Sequence, residues 1–235
     1  MPTHRDFLTG LAIASLAARL PAANRAAPRR AEVWLEDHCL SQESALGFRR
    51  LLKRDTVSNG STQSSIASSS LIIVPGIRRM SPASGNDLLQ RMHDGTWVVL
   101  ESGVGFSSMA EAKHQADLFK RIFGLKLLPA VKVAQCPAVA TYVEYTKPVC
   151  RLARTFEAIT PIDCEPTEVI ARFGRHSVCA RKRVGRGGLV FLGSMLGPGL
   201  FAEEREALAI GAALVSPSAI SPDLASFGTS SSFLS

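Results

Sequence analysis

Two uninterrupted apolar runs constrain this chain most: Leu71-Ile72-Ile73-Val74 and Trp97-Val98-Val99-Leu100. A strand that is apolar on both faces must be covered on both, as parallel strands are when helices pack above and below them. Between the runs lies a segment punctuated as a helix. Ser81 stands at the N-cap, Pro82 in the first turn, and Gly95 follows the last helical residue, His93. Strand, helix and strand in about 30 residues is the spacing of a βαβ unit.

The alternation continues on either side. Ala31 to Leu35 is a short strand, and Ser41 caps a helix that runs to Arg54 with Ala45, Leu46, Phe48, Leu51 and Leu52 on one face. A third helix is expected from Ser108 to Phe123 and a last one from Glu203 to Val215. Late strands are expected at Glu168–Phe173, Ser177–Val184 and Leu189–Gly193, the last two joined through the hairpin signal Gly185-Arg186-Gly187-Gly188. Residues 55–70 are rich in Ser, Thr, Asn and Gly, and 126–166 carry mixed signals around the strand-like Tyr142–Tyr145. The expectation is one α/β domain over residues 31–215, a mostly parallel three-layer sandwich with a late antiparallel hairpin. Residues 216–235 form a Ser/Pro-rich tail expected to be disordered.

The first thirty residues have a different character. Arg5 precedes Phe7-Leu8, and a short run of small and apolar residues, Gly10 to Ala18, leads to Ala22-Ala23 and Ala26-Ala27. A basic start, a short apolar stretch and small residues near its end make an export signal. The block resembles a twin-arginine leader, with His4 where the first arginine belongs, and so implies a bacterial periplasmic destination.

This segment also explains the charge. The chain carries 27 basic and 20 acidic residues, a net +7. Without Arg5, Arg19, Arg25, Arg29, Arg30 and Asp6, the body has 22 basic against 19 acidic residues, an ordinary soluble surface. The cluster Arg181-Lys182-Arg183 with Arg186 has no interleaved aromatic residues, so it reads as a solvated hairpin and nucleic acid is not an expected partner. The longest apolar run, Leu8 to Ala18, is shorter than the ~20 residues needed to span a bilayer, so no membrane-spanning segment is expected in the body.

Five cysteines, at 39, 136, 150, 164 and 179, include no C-x-x-C pair. That excludes a zinc ribbon or a thioredoxin-like redox motif. In an oxidising compartment Cys150 and Cys164 could bridge, though the connectivity is not readable from spacing.

In a parallel sheet, ligands sit outside the carboxyl ends of the strands. Here that edge gathers Glu36-Asp37-His38-Cys39, Pro75-Gly76, Glu101-Ser102-Gly103-Val104-Gly105 and Gly193-Ser194-Met195-Leu196. In the order LIIVPG (71–76), DGTWVVLESGVG (94–105) and VGRGGLVFLG (184–193), the chain resembles the class I glutamine amidotransferase-like superfamily, a flavodoxin-like fold. The resemblance implies a strained strand-to-helix elbow centred on Gly103. It also implies that glutaminase chemistry is missing, because the nucleophile position is a glycine and no histidine follows Gly193.

Two functions from different classes follow. The first is an exported, non-catalytic amidotransferase-like domain that binds a small anionic ligand or a protein partner. Its ligand-binding residues are Gly76, Glu101, Ser102, Gly103, Val104, Gly105 and Ser194. The second is a hydrolase or lyase on a small amide, ester or sugar, with Ser102 or Cys39 as nucleophile and His38 and Glu101 beside it. Glu36, Asp37, His38 and Glu101 could together hold a hard metal ion, but their spacing gives no support, so no metal and no cofactor are expected. His93 and His114 are read as solvated helix residues, and His176 as a turn residue.

Overall fold

The computed structural model describes residues 31–34, 42–54, 70–77, 79–102, 109–133, 142–156 and 158–216. The expected export signal, the Ser/Thr-rich 55–69 segment, His38, Cys39, the elbow Gly103-Val104-Gly105 and the tail from 217 lie outside the described residues.

The main sheet has eight strands. Its first half is built from β1 (Ala31–Val33), β2 (Leu71–Ile77), β3 (Trp97–Ser102) and β12 (Gly187–Leu192). These are neighbours in that order and all parallel. The second half continues from β12 through β11 (His176–Val184), β10 (Val169–Phe173), β6 (Tyr142–Tyr145) and β7 (Arg151–Arg154), every pairing antiparallel. Two small two-stranded sheets flank it. One joins β4 (Lys126–Leu127) to β9 (Ile162–Asp163), the other β5 (Val131–Lys132) to β8 (Ala158–Ile159).

Helices cover the parallel half. Phe48, Leu51 and Leu52 of α1 (Gln42–Arg54) pack in one core with Leu200 of α4 (Gly197–Phe201) and Ile210 and Leu214 of α5 (Arg205–Val215). Leu88 and Met92 of α2 (Pro82–His93) share the other core with Leu118, Phe119, Ile122 and Phe123 of α3 (Met109–Phe123). The α2 cap is the expected one: the Ser81 hydroxyl accepts the Ser84 N–H at 3.0 Å, with Pro82 in the first turn. No helix among the described residues is long and apolar enough to cross a membrane.

The structure corrects the expected fold class. The sheet is a mixed, curled half-barrel, not the mostly parallel three-layer sandwich of a flavodoxin-like protein. The reason is visible in β6, whose burial alternates along Tyr142-Val143-Glu144-Tyr145. A strand apolar on one side only belongs to an antiparallel half with one wet face. The expectation extended the logic of the apolar runs to strands that do not share it. A smaller correction concerns Pro75-Gly76, which were expected to end β2. The strand continues to Ile77 through a register shift after Val74, with Gly76 at φ +53°.

Candidate functional site

The carboxyl edge of the parallel strands is organised by one buried carboxylate. Glu101, at the end of β3, is completely buried. Its Oε2 accepts hydrogen bonds from the Ser44 hydroxyl of α1 and, at 2.8 Å, from the Gly76 N–H of β2. Its Oε1 accepts the N–H groups of Leu196 and Gly197 at 2.6 and 2.7 Å. Burial pushes the carboxyl above the usual carboxylate range. The bonds from Ser44, Gly197, Leu196 and Gly76 pull it part of the way back. Four donors from three segments fill the accepting capacity of one carboxylate.

The register shift in β2 contributes to this arrangement. With Gly76 in the left-handed region, its N–H turns toward Glu101. Leu196 and Gly197 open α4 beneath the same carboxylate. A side chain on Gly197 would collide with Ser44, so the glycine sets how closely α1 and α4 approach.

The expected site residues therefore separate. Gly76, Glu101, Ser102 and Ser194 do meet at this edge. Their polar groups, however, are turned to partners within the protein. The Ser102 and Thr160 hydroxyls are 3.0 Å apart, and Ser194 donates to Thr155 at 3.0 Å. All four hydroxyls are buried. Gly103, Val104, Gly105, His38 and Cys39 lie outside the described residues. Cys150 and Cys164 are separate free thiols, not a bridge, and Cys179 is buried with its thiol donating to the Tyr145 hydroxyl at 3.6 Å.

Between the end of β2 and the start of α3 opens a polar cleft of about 230 Å³, lined by Arg79, Glu111, His114 and Gln115. Arg79 follows β2, and the other three come from the first two turns of α3. Glu111 is three residues from His114 and four from Gln115, so all three share one side of the helix. Gln115 is only 3% exposed. Its Oε1 accepts the Met80 N–H at 3.2 Å, while its Nε2 is buried without a hydrogen-bond partner among the described residues.

Sequence reasoning did not single out this group, although its reading of His114 as a solvated helix residue agrees with the exposed position of that side chain. The signal lay in Gln115. It precedes Leu118, Phe119 and Ile122 by three, four and seven residues, and so places an amide on the apolar stripe of α3.

No family model matches the chain, and no curated protein matches it in sequence. Solved structures do resemble it. A β-galactosidase from Bacillus circulans sp. alkalophilus superposes with a TM-score of 0.55 at 12% identity, over 79% of this chain and 31% of that one. An exo-β-1,4-mannosidase from Opitutaceae bacterium strain TAV5 gives 0.55 at 13% identity, over 82% of this chain and 37% of that one. A cytoplasmic protein of Salmonella typhimurium LT2 gives 0.54 at 12% identity, and there the match covers 75% of this chain and 95% of the other. At such identities the likeness concerns the fold alone. This chain spans about a third of the length of the two glycosidases.

These findings correct the resemblance to the class I glutamine amidotransferase-like superfamily. The mixed, curled sheet and its likeness to glycosidases replace the amidotransferase-like, flavodoxin-like assignment. With that assignment goes the argument for a non-catalytic, pseudoenzyme module. It rested on a nucleophile and a base missing from positions that only an amidotransferase would use.

Proposed function

We propose that this chain is a hydrolase acting on a small sugar, with the cleft of Arg79, Glu111, His114 and Gln115 as its substrate site. The observation that carries this reading is the Gln115 amide, a buried donor lining a polar cleft with no hydrogen-bond partner among the described residues. Leaving such a donor unmatched costs ~1–3 kcal/mol, a cost that a ligand with an acceptor at that point would relieve. Sugar hydroxyls both donate and accept. The Gln115 and Arg79 side chains offer donors in planar groups, and Glu111 offers acceptors. The likeness of the fold to β-galactosidases and an exo-β-1,4-mannosidase supports the same substrate class.

Hydrolysis of a glycosidic bond needs one group to take a proton from water and another to give one to the departing oxygen. Glu101 does not serve, since its oxygens are occupied by four donors. Glu111 is the carboxylate of the cleft and acts as the base. His114, one turn along α3, acts as the acid. Water oxygen bonds to the anomeric carbon, the carbon–oxygen bond to the leaving group breaks, and His114 protonates that oxygen. Neither Ser102 nor Cys39 acts as nucleophile in this reading.

The test is turnover by the full chain of p-nitrophenyl β-galactoside, β-mannoside and β-glucoside, with p-nitrophenyl acetate alongside. At least one glycoside is expected to be cleaved, with kcat reduced about 100-fold or more in Glu111→Gln and in His114→Ala. Gln115→Leu is expected to raise KM about tenfold at nearly unchanged kcat, as loss of substrate binding does. No cleavage of any glycoside, or cleavage equal in all three variants and the parent, sinks the reading.

A further inference from the structure

At the opposite end of the sheet lies a second cavity, of about 260 Å³, that the sugar reading does not use. Its floor is Trp97, the first residue of β3, with Val190 of β12 and Leu214 of α5. Its rim carries three cations, Lys147, Arg181 and Arg183, against one carboxylate, Glu168. We propose that this cavity binds a small organic anion, a carboxylate on an apolar body about the size of one aromatic ring.

The construction of the site supports this. The Arg181 guanidinium lies over the Trp97 ring, 4.6 Å from its centroid. A stacked guanidinium is held in place by the ring, so it meets an anion with little loss of freedom. The ring reaches that position because residue 188 is glycine: a Cβ there would lie 2.5 Å from Trp97 Cη2 and Cζ3. Arg183 is two residues along β11 and projects on the same side of the strand as Arg181. Lys147 is brought over by β6, where the Thr146 and Lys147 N–H groups donate to the Ile170 carbonyl at 2.9 and 3.3 Å.

Charge and shape then select the ligand. Three cations against one carboxylate leave the rim net positive and so favour an anion. The indole floor with Val190 and Leu214 requires an apolar body. The residues 181–183, read from sequence as part of a solvated hairpin, thus have two of their three side chains on a cavity wall.

The experiment follows Trp97 fluorescence in a Trp34→Phe background. Trp34 packs on the other face of the sheet, and its removal leaves Trp97 as the single indole. Calorimetry on the unaltered chain gives the same comparison if that variant does not fold. Benzoate carries both features, benzyl alcohol only the ring, and inorganic phosphate only charge. Benzoate is expected to bind saturably with Kd on the order of 1 mM, and benzyl alcohol and phosphate at least tenfold more weakly. Arg183→Gln and Lys147→Gln, both at exposed residues, are expected to weaken benzoate about fivefold each and to leave benzyl alcohol unchanged. The proposal is overturned if benzoate binds no better than benzyl alcohol. It is equally overturned if both variants bind benzoate as the parent does, or if nothing binds by about 20 mM. Glycoside turnover does not bear on these outcomes, so this site and the sugar site stand or fall separately.

Discussion

Glu101 and Gly197 are 96 residues apart in the chain and joined by a hydrogen bond of 2.7 Å, from the Gly197 N–H to Glu101 Oε1. That bond ties the end of β3 to the start of α4. With the bonds from Ser44, Gly76 and Leu196, it makes one side chain the meeting point of α1, β2, β3 and α4.

Removing the carboxylate orphans all of these donors at once. Glu101→Ala is expected to lower unfolding stability by about 3 kcal/mol or more, since each buried donor left unmatched costs ~1–3 kcal/mol and water entering the gap recovers part of that. Urea denaturation measures it. A loss under about 0.5 kcal/mol, the range of an ordinary surface change, contradicts the role of Glu101 as a hub.

The close approach of α1 and α4 makes two glycines intolerant. A Cβ on Gly197 collides with Ser44, and one on Gly47 collides with the Gly197 carbonyl. Each Gly→Ala change is expected to cost about 1–3 kcal/mol, against the usual gain from alanine in a helix. Gly174, with open space around it, is the control for crowding, although its φ of +54° still disfavours alanine. Thermal unfolding of the three variants gives the order, and Gly47→Ala equal to or above the parent contradicts the packing.

Three cysteines should differ in reactivity. Cys150 is exposed, Cys164 half-buried and Cys179 fully buried. Burial pushes the Cys179 thiol from 9 up to about 11, partly offset by its bonds to Tyr145 and to the Gly193 and Ser194 backbone. A folded value above the unfolded one means the native state holds the proton more tightly. This group's contribution to stability is therefore complete below pH 9 and lost as pH rises toward 11. At pH 8, iodoacetamide with peptide mapping should label Cys150 first and Cys179 only after denaturant is added. Rapid native labelling of Cys179 contradicts its burial.

Export is expected to leave a mark on the chain. If the first thirty residues act as a leader, protein recovered from a bacterial periplasm begins between Asn24 and Pro28, after one of the alanine pairs. N-terminal sequencing of that fraction decides it. Intact Met1 in soluble cytoplasm, and nothing in the periplasm, is the opposing result.

By itself the sequence determined the local elements whose causes are local. The apolar runs at 71–74 and 97–100 became adjacent parallel strands. Ser81-Pro82 opened α2, and the glycines after Val184 joined β11 to β12. Each rests on residues within one or two turns of one another, where periodicity and capping act. Tertiary structure alone decided how the sheet continues past β11. Whether the next strand pairs parallel or antiparallel depends on partners far along the chain, and the wet face of β6 became informative only once the strand was seated. It also decided which polar groups remain for function. Glu101 and Ser102 looked chemical because they lie at the strand end, yet their partners arrive from residues 44, 76, 160, 196 and 197 and engage them. Gln115 belongs to no motif of the sequence, and burial without a partner for its amide among the described residues is what distinguishes it. A hydrogen bond is decided by which groups meet in space, and a linear pattern carries the groups without the meeting.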